Sequence, residues 1–270
     1  MPQITLASWN VNSLKVRLPQ LLDWLDATKT DAVVLQETKL TDDVFPAGMI
    51  TASGYDVVFT GQKTYNGVAL LTRRETMEAP QACDLNIPGY PDEQKRLVAA
   101  TILPKGIDPA QALRFVGAYF PNGMTPGSWK YLYKLDWLRA LTRYLGETLR
   151  TSPRLVLGGD FNIAPTDLDV WDPKGWADGV LVSPPERAAF RHLLDLGLTD
   201  SFRAFHPTDA AYSWWDYRFK AYENNHGLRI DHLLVSEALK PSMTDATIDE
   251  SPRGNLQPSD HAPVTVTLNI

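Results

Sequence analysis

Asp160 and Asn162 follow the aliphatic run Leu155-Val156-Leu157 and a pair of glycines, with one residue between them. Along an extended backbone alternate side chains share a face, so this spacing aims a carboxylate and a carboxamide the same way. Such a pair at a strand end can orient a water and hold an oxyanion, the two needs of a hydrolysis. Gly158 and Gly159 lack a Cβ and are expected to let a substrate come close to the backbone. Taken alone, Asp after Gly-Gly is more often an ordinary turn.

The ending recurs. Ile4 to Trp9 leads into Asn10-Val11-Asn12, Ala32 to Leu35 into Gln36-Glu37, and Phe115 to Tyr119 into Phe120-Pro121-Asn122. Asp231 lies inside the run Arg229 to Val235, and Asp260-His261 precedes the last run. Six segments that each present Asn, Glu, Tyr, Asp or His read as one polar site gathered from the edges of many strands. Oxygen and amide donors select a hard cation, Mg²⁺ with Mn²⁺ able to substitute, as one ion or two. Zinc would want His or Cys spacings that are missing.

Those side chains suit a phosphodiester, a poor electrophile that needs water in line and its developing charge neutralised. Asp160 is the candidate base and Asn162 a donor to a nonbridging oxygen. Protonated His261 would offset phosphate charge while Asp231 holds its other ring nitrogen. Tyr119 would bond the phosphate or assist proton traffic, and Asn122 would grip it. Which of Asp160, Tyr119 and His261 takes the proton stays open.

Such a site needs strands that end at a common rim. Runs rich in Val, Ile and Leu predict strands at 4–9, 32–36, 55–59, 67–72, 96–103, 113–120, 154–159, 230–235 and 262–268. Leu18, Leu21, Leu22 and Leu25 recur at helical spacing, with Pro19 suited to a first turn. Leu135, Leu138, Leu141, Leu145 and Leu149 make a longer stripe; Phe190, Leu193 and Leu194, ended by Gly197, make a third. Leu168 to Pro185 is expected as an ordered surface excursion. Pattern alone does not separate two packed sheets flanked by helices from one doubly wound sheet. No repeat or linker divides the 270 residues, so one domain is expected.

Apolar content of 44% and charged content of 21% are ordinary for a globular protein. No apolar run approaches the roughly 18 residues of a membrane span, and a strand-like pattern begins at once, so no secreted or membrane form is expected. The single Cys83 excludes an internal disulfide and suits a reducing cytoplasm, read as a small buried or loop thiol. A net charge of −6 argues against a broadly basic surface. Positive charge for a nucleic acid must then be local, at Lys63, Arg73, Arg74, Lys130, Lys134, Arg218 or Lys220, each equally readable as a solvated face.

WNVNSL (Trp9 to Leu14), LQETK (Leu35 to Lys39), YFPNG (Tyr119 to Gly123), GDFNIAP (Gly159 to Pro165), GLRIDHLL (Gly227 to Leu234) and SDHAP (Ser259 to Pro263) occur in this order. Together they resemble the exonuclease III branch of the endonuclease/exonuclease/phosphatase superfamily, from about Ile4 to Val266. GQKTYNGVALL (Gly61 to Leu71) and SWWDYR (Ser213 to Arg218) narrow the resemblance to that branch. Ser13 departs from it, standing where Gly is more usual, and Asn12 stands where some relatives carry Asp.

The resemblance implies a four-layer α/β sandwich and a Mg²⁺-dependent DNA-repair hydrolase that acts as a monomer. Its substrates would be duplex DNA with abasic or 3′-blocked sites. It implies Glu37 as the main metal ligand, Asn10 near it and Asp260 close enough to join, with Asp160, Asn162 and His261 in the same cluster. Trp214 matches the family's pocket aromatic. With Leu228 and Ile230, and with Asn12 and Asn122 on the substrate, it would wall a dry slot for a sugar lacking its base. Trp215 is then expected in the core.

The remaining histidines read as packing or surface: His192 on an amphipathic helix, His206 before Pro, His226 in a polar loop, His232 opposite Asp231 on its strand. Gly61-Gln62-Lys63-Thr64 has the wrong spacing for a P-loop. Two other readings compete: a superfamily phosphoesterase for a phospholipid or inositol phosphate, and a DNA binder without catalysis. The first lacks a basic amphipathic helix, and the second is at odds with competent residues at every catalytic position.

Overall fold

The computed structural model describes residues 2–270. Twelve strands are present among them: β1 (Gln3–Asn10), β2 (Ala32–Gln36), β3 (Tyr55–Thr60), β4 (Val68–Arg73), β5 (Gln81–Asp84), β6 (Leu97–Ile102), β7 (Leu113–Tyr119), β8 (Leu155–Asp160), β9 (Leu198–Asp200), β10 (Asp231–Ser236), β11 (Met243–Ile248) and β12 (Val264–Asn269). Five α-helices accompany them: α1 (Leu14–Thr28), α2 (Ala47–Ala52), α3 (Trp129–Thr151), α4 (Pro184–Leu194) and α5 (Ser201–Phe205). The strands form two six-stranded sheets, ordered β11-β12-β1-β2-β4-β3 and β5-β6-β7-β8-β10-β9. Each sheet has one parallel pair at its centre, β1 with β2 and β7 with β8, and all other pairings are antiparallel.

Alternation along the central strands creates the layers. In β2, Val34 joins Leu6, Leu70, Phe115, Val156 and Val266 in the core between the sheets. Its neighbours Val33 and Leu35 point the other way, onto Leu14, Leu21 and Trp24 of α1. In β8, Val156 faces the inter-sheet core, while Leu155 and Leu157 meet Trp137 and Leu141 of α3 and Phe190 of α4. Both faces of each central strand are buried, which is why these runs read as continuously apolar. The result is the expected four-layer α/β sandwich, helix–sheet–sheet–helix. No helix among the described residues is long and apolar enough to cross a membrane.

Three expectations need correcting. Strands β5, β9 and β11 went unread, and all three are sheet edges. Their burial is partial, as in Met243–Ile248 and Gln81–Asp84, so an edge strand needs no unbroken apolar run. Pro19 lies inside α1, because the helix already begins at buried Leu14. Finally, the glycines of β8 do not open space for substrate. A Cβ on Gly158 would meet Leu233 Cδ2 at 2.7 Å and Val34 Cγ2 at 3.1 Å, and one on Gly159 would meet the Ala118 carbonyl oxygen at 2.0 Å. Gly158 lets the two sheets approach, and Gly159 lets β7 and β8 pair.

A buried ionic network locks β10 beneath the site. Arg229, 1% exposed, donates to Asp169 at 2.7 Å and to Asp200 at 2.8 and 3.1 Å. It also donates to His232 Nδ1 at 3.0 Å, so His232 carries its proton on Nε2 and gives it to the Ile163 carbonyl, also at 3.0 Å. Burial and Arg229 together lower the His232 pKa to about 4. For Asp169, burial acts upward, but Arg229 and Arg203 outweigh it and lower the pKa to about 2. Both groups bind fewer protons folded than unfolded across these windows, so both lose stability as pH falls. His232 acts from its ordinary value near 6.5 down to 4, and Asp169 from 3.8 down to 2. Acidification from pH 6.5 to 4.5 should therefore remove roughly 2–3 kcal/mol through His232. Denaturant titration at both pH values checks this against His232→Gln, which can make both hydrogen bonds without titrating. An equal pH slope in the two proteins would refute the assignment.

Candidate active site

The central strands all end at one rim, and there the backbone turns sharply. Asn12, Glu37 and Asn162 take φ of 42°, 54° and 50°, in the left-handed region. Each follows a strand by one or two residues. Asn162 N–H donates to Asp160 Oδ1 at 2.9 Å, and Asn12 N–H donates to Asn10 Oδ1 at 2.9 Å. The same Asx turn thus ends β1 and β8. Asp160 and Asn162 share the site through this turn rather than along an extended strand, because β8 stops at Asp160. Ser13 adopts φ 91°, a left-handed conformation that favours glycine; its N–H donates to the Glu37 carbonyl at 2.8 Å and steadies that turn.

The side chains converge. Glu37, Asp160 and His261 offer atoms that all lie within 4.8 Å of one another. Asn10 Nδ2 bridges the two carboxylates, 2.8 Å from Glu37 Oε1 and 2.9 Å from Asp160 Oδ2. His261 Nδ1 lies 2.8 Å from Asp231 Oδ2, and its Nε2 lies 3.8 Å from Asp160 Oδ2. Ser213 Oγ donates to Asp231 Oδ2 at 2.7 Å and accepts the Asp231 N–H at 3.0 Å, orienting the acid that orients the imidazole. Asn162 Nδ2 donates to the Phe120 carbonyl at 3.1 Å, and its Oδ1 accepts from Asn122 Nδ2 at 2.9 Å. Tyr119 pairs with Asp160 across the β7–β8 register.

The electrostatics follow from crowding carboxylates in a buried place. Burial raises Asp160, as do Asp231 and Glu37, against the pull of His261, to a pKa of about 7. Burial works against charge on His261, but Asp231 and Asp160 prevail and raise it to about 10, so it is an imidazolium at neutral pH. Burial raises Tyr119 well above its usual value, helped by Glu37 and Asp160, which keeps it a phenol and a donor. For Glu37 burial is outweighed by Lys39, whose Nζ lies 2.8 Å from Oε2, and by the Asn10 amide, so it stays ionised.

A hard divalent cation fits this donor set. Two carboxylates share one amide between them, and a cation there would relieve the repulsion that raises Asp160. Glu37 and Asp160 could supply oxygen donors, with Asn10 beside them, and His261 brings a ring nitrogen to the same cluster.

Asp260 stands apart from this group. Its oxygens accept from Asn12 Nδ2 at 2.9 Å and Trp214 Nε1 at 3.0 Å, because the Trp214–His261 bridge turns His261 inward and its predecessor outward. Asn162 likewise lends its amide to neighbours. Trp214 is half-buried, and Trp215 is in the core against Tyr222. Leu228 and Ile230, expected as slot walls, are 0% and 2% exposed and pack with Val170, Leu181 and Val182. They back Trp214 rather than face solvent, and they give the Leu168–Pro185 segment its apolar anchor.

The basic residues sort differently from expectation. Arg73 and Arg74 lie at the far end of β4 and pair with Glu75 and Asp56. Lys134 is fully buried. Its Nζ donates to Glu186 and to the carbonyls of Asn162 at 2.7 Å and Asn122 at 3.1 Å, tying two site loops together from behind. Lys130, Arg218 and Lys220 are exposed, as is Cys83. Lys39 and Ser213 were not read as site residues, although each sat within a quoted motif, LQETK and SWWDYR, and Lys134 was read only as a local positive charge.

The Endonuclease/Exonuclease/phosphatase family matches residues 7–261. Exodeoxyribonuclease III of Haemophilus influenzae is 37% identical over 267 residues, covering 95% of this chain and 97% of that protein. Among solved structures, the 3′ phosphatase NExo from Neisseria, bound to a product DNA hairpin, superposes with a TM-score of 0.92 at 43% identity, covering 99% of this chain and 100% of that one. An AP endonuclease from Archaeoglobus fulgidus gives a TM-score of 0.90 at 34% identity, covering 99% and 100%. With its two sheets, its carboxylate–imidazole cluster and these relatives, the chain belongs to the endonuclease/exonuclease/phosphatase family.

Proposed function

We propose that this chain is a Mg²⁺-dependent DNA-repair phosphodiesterase. It cleaves 5′ to abasic sites, removes 3′-phosphate and 3′-sugar fragments, and trims duplex DNA from 3′ ends. The observation that carries the reading is the cluster of Glu37, Asp160 and His261 within 4.8 Å, with Asp231 behind the imidazole. Relatives named for exodeoxyribonuclease III, 3′ phosphatase and AP endonuclease activity support the substrate class. The exposed Cys83 thiol suits a reducing cytoplasm, and a complete site within one chain suits a monomer.

Glu37 and Asp160, with the Asn10 amide between them, would hold Mg²⁺, which when bound supplies positive charge to the phosphate oxygens. Asp160, held in place by the Asn162 N–H and the Asn10 amide, would accept a proton from the attacking water. The His261 imidazolium, fixed by Asp231, offsets the negative charge that builds on phosphorus. Tyr119 donates its phenol proton as a hydrogen bond, and Asn162 and Asn122 place the phosphate from the other side. Half-buried Trp214, next to His261, forms the wall against which a sugar without its base would lie. The exposed Lys220 supplies local positive charge near it, Arg218 being paired with Asp216.

One assay tests the reading: oligonucleotides carrying an abasic site, a 3′-phosphate or an intact duplex end, with and without EDTA, beside a phosphoinositide. Cleavage of the DNA substrates that stops with EDTA is expected. Hydrolysis of the phosphoinositide alone, or DNA binding with no cleavage in Mg²⁺, would sink it.

A further inference from the structure

A cavity of about 780 Å³ adjoins the catalytic cluster, sharing Tyr119 and Asn122 with it. Three of its lining side chains are large, apolar and turned to solvent: Trp129 (73% exposed), Tyr65 (67%) and Met124 (62%). None of the three fills a core cluster, so their placement is not explained by folding. Lys130 Nζ lies 5.6 Å from the centre of the Trp129 ring. Arg96 stands 5.0 Å from the Tyr119 ring and 5.8 Å from Tyr133, and its donation to the Tyr119 carbonyl at 3.2 Å joins the cavity to the site.

We propose that this cavity is a stacking subsite for one unpaired nucleobase next to the scissile phosphate. The inference rests on the DNA-directed reading above and adds a substrate preference to it. Size and charge select the occupant. A volume of this order accommodates one base with its sugar. Asp92 and Glu93 line the cavity together with Arg96 and Lys130, so its formal charges balance and favour a neutral occupant. A neutral base meets aromatic faces, and its amino groups meet carboxylates. Lys130 remains at the edge for the backbone. The preferred DNA end is therefore frayed by one nucleotide.

The test compares hairpins ending in a 3′-phosphate, with the terminal pair either matched or mismatched, for the parent chain and Trp129→Ala. Because Trp129 is exposed on the first turn of α3, the variant keeps its fold. The parent should favour the mismatched end by about 10-fold in kcat/KM, the size of one base–aromatic stack. Trp129→Ala should lose that preference and still process the matched end within about twofold. In EDTA, a short single-stranded oligonucleotide should quench the parent's tryptophan fluorescence more than the variant's. An unchanged preference in the variant, or equal losses on both ends, overturns the subsite and leaves the nuclease reading standing. Failure of the parent to process either end overturns both.

Discussion

Asp160→Asn should lower cleavage of an abasic duplex about 10³-fold and leave binding detectable. Both carboxylate oxygens are in use: Oδ1 accepts the Asn162 N–H, and Oδ2 accepts from Asn10 and lies nearest His261. A carboxamide can accept on one side only, carries no charge for a cation or for His261, and cannot take a proton from water. Fold should not be what is lost. Burial raises the Asp160 pKa above its unfolded value, so the ionised group lowers stability as pH rises through that window. A neutral amide removes this burden, and the variant should melt no lower than the parent. Activity within tenfold of the parent would refute Asp160 as the proton acceptor.

Lys134→Met should be the most damaging change outside the carboxylate cluster. The ammonium is fully buried and is held by Glu186 and two loop carbonyls. Removing one partner of a buried pair costs about 3–5 kcal/mol, because Glu186 keeps its charge without its counterion. Glu186 retains donors from the Leu181 and Ser183 backbone, which favours the lower end. The loops of Asn122 and Asn162 also lose their common tether. A displacement near 1 Å at a reacting group can cost about 10²-fold, so kcat should fall by that order well below the melting midpoint. Adding Glu186→Gln should restore part of the stability and none of the kcat, whereas Lys134→Arg should rescue both in part. A parent-like kcat in folded Lys134→Met would show that Lys134 only supports the fold.

These two residues mark the boundary of what sequence reading reached. Asp160 was legible because its signal is local: an aliphatic run, two glycines and a polar pair. Lys134 was read as a local positive charge for nucleic acid or a solvated face, since a lysine on a helix carries no mark of the carbonyls that reach it from 12 and 28 residues away. Asp260 and His261 are chain neighbours, yet a bridge to Trp214 sends them into different surroundings. The interior strands were found where burial on both faces left continuous apolar runs; the edge strands β5 and β11 were missed where it did not, and β9 because only the three residues Leu198–Asp200 form it.

By itself, the order of residues determined the chemistry on offer: oxygen and amide donors at strand ends, one acid–imidazole pairing and a hard cation to match. Those are properties of residue types and short spacings, and they need no fold to be read. Tertiary structure decided which donors meet, where the protons sit and what the glycines are for. Such outcomes depend on burial and on distances between segments more than 100 residues apart, such as Asn10 and Asp160, which no local pattern encodes.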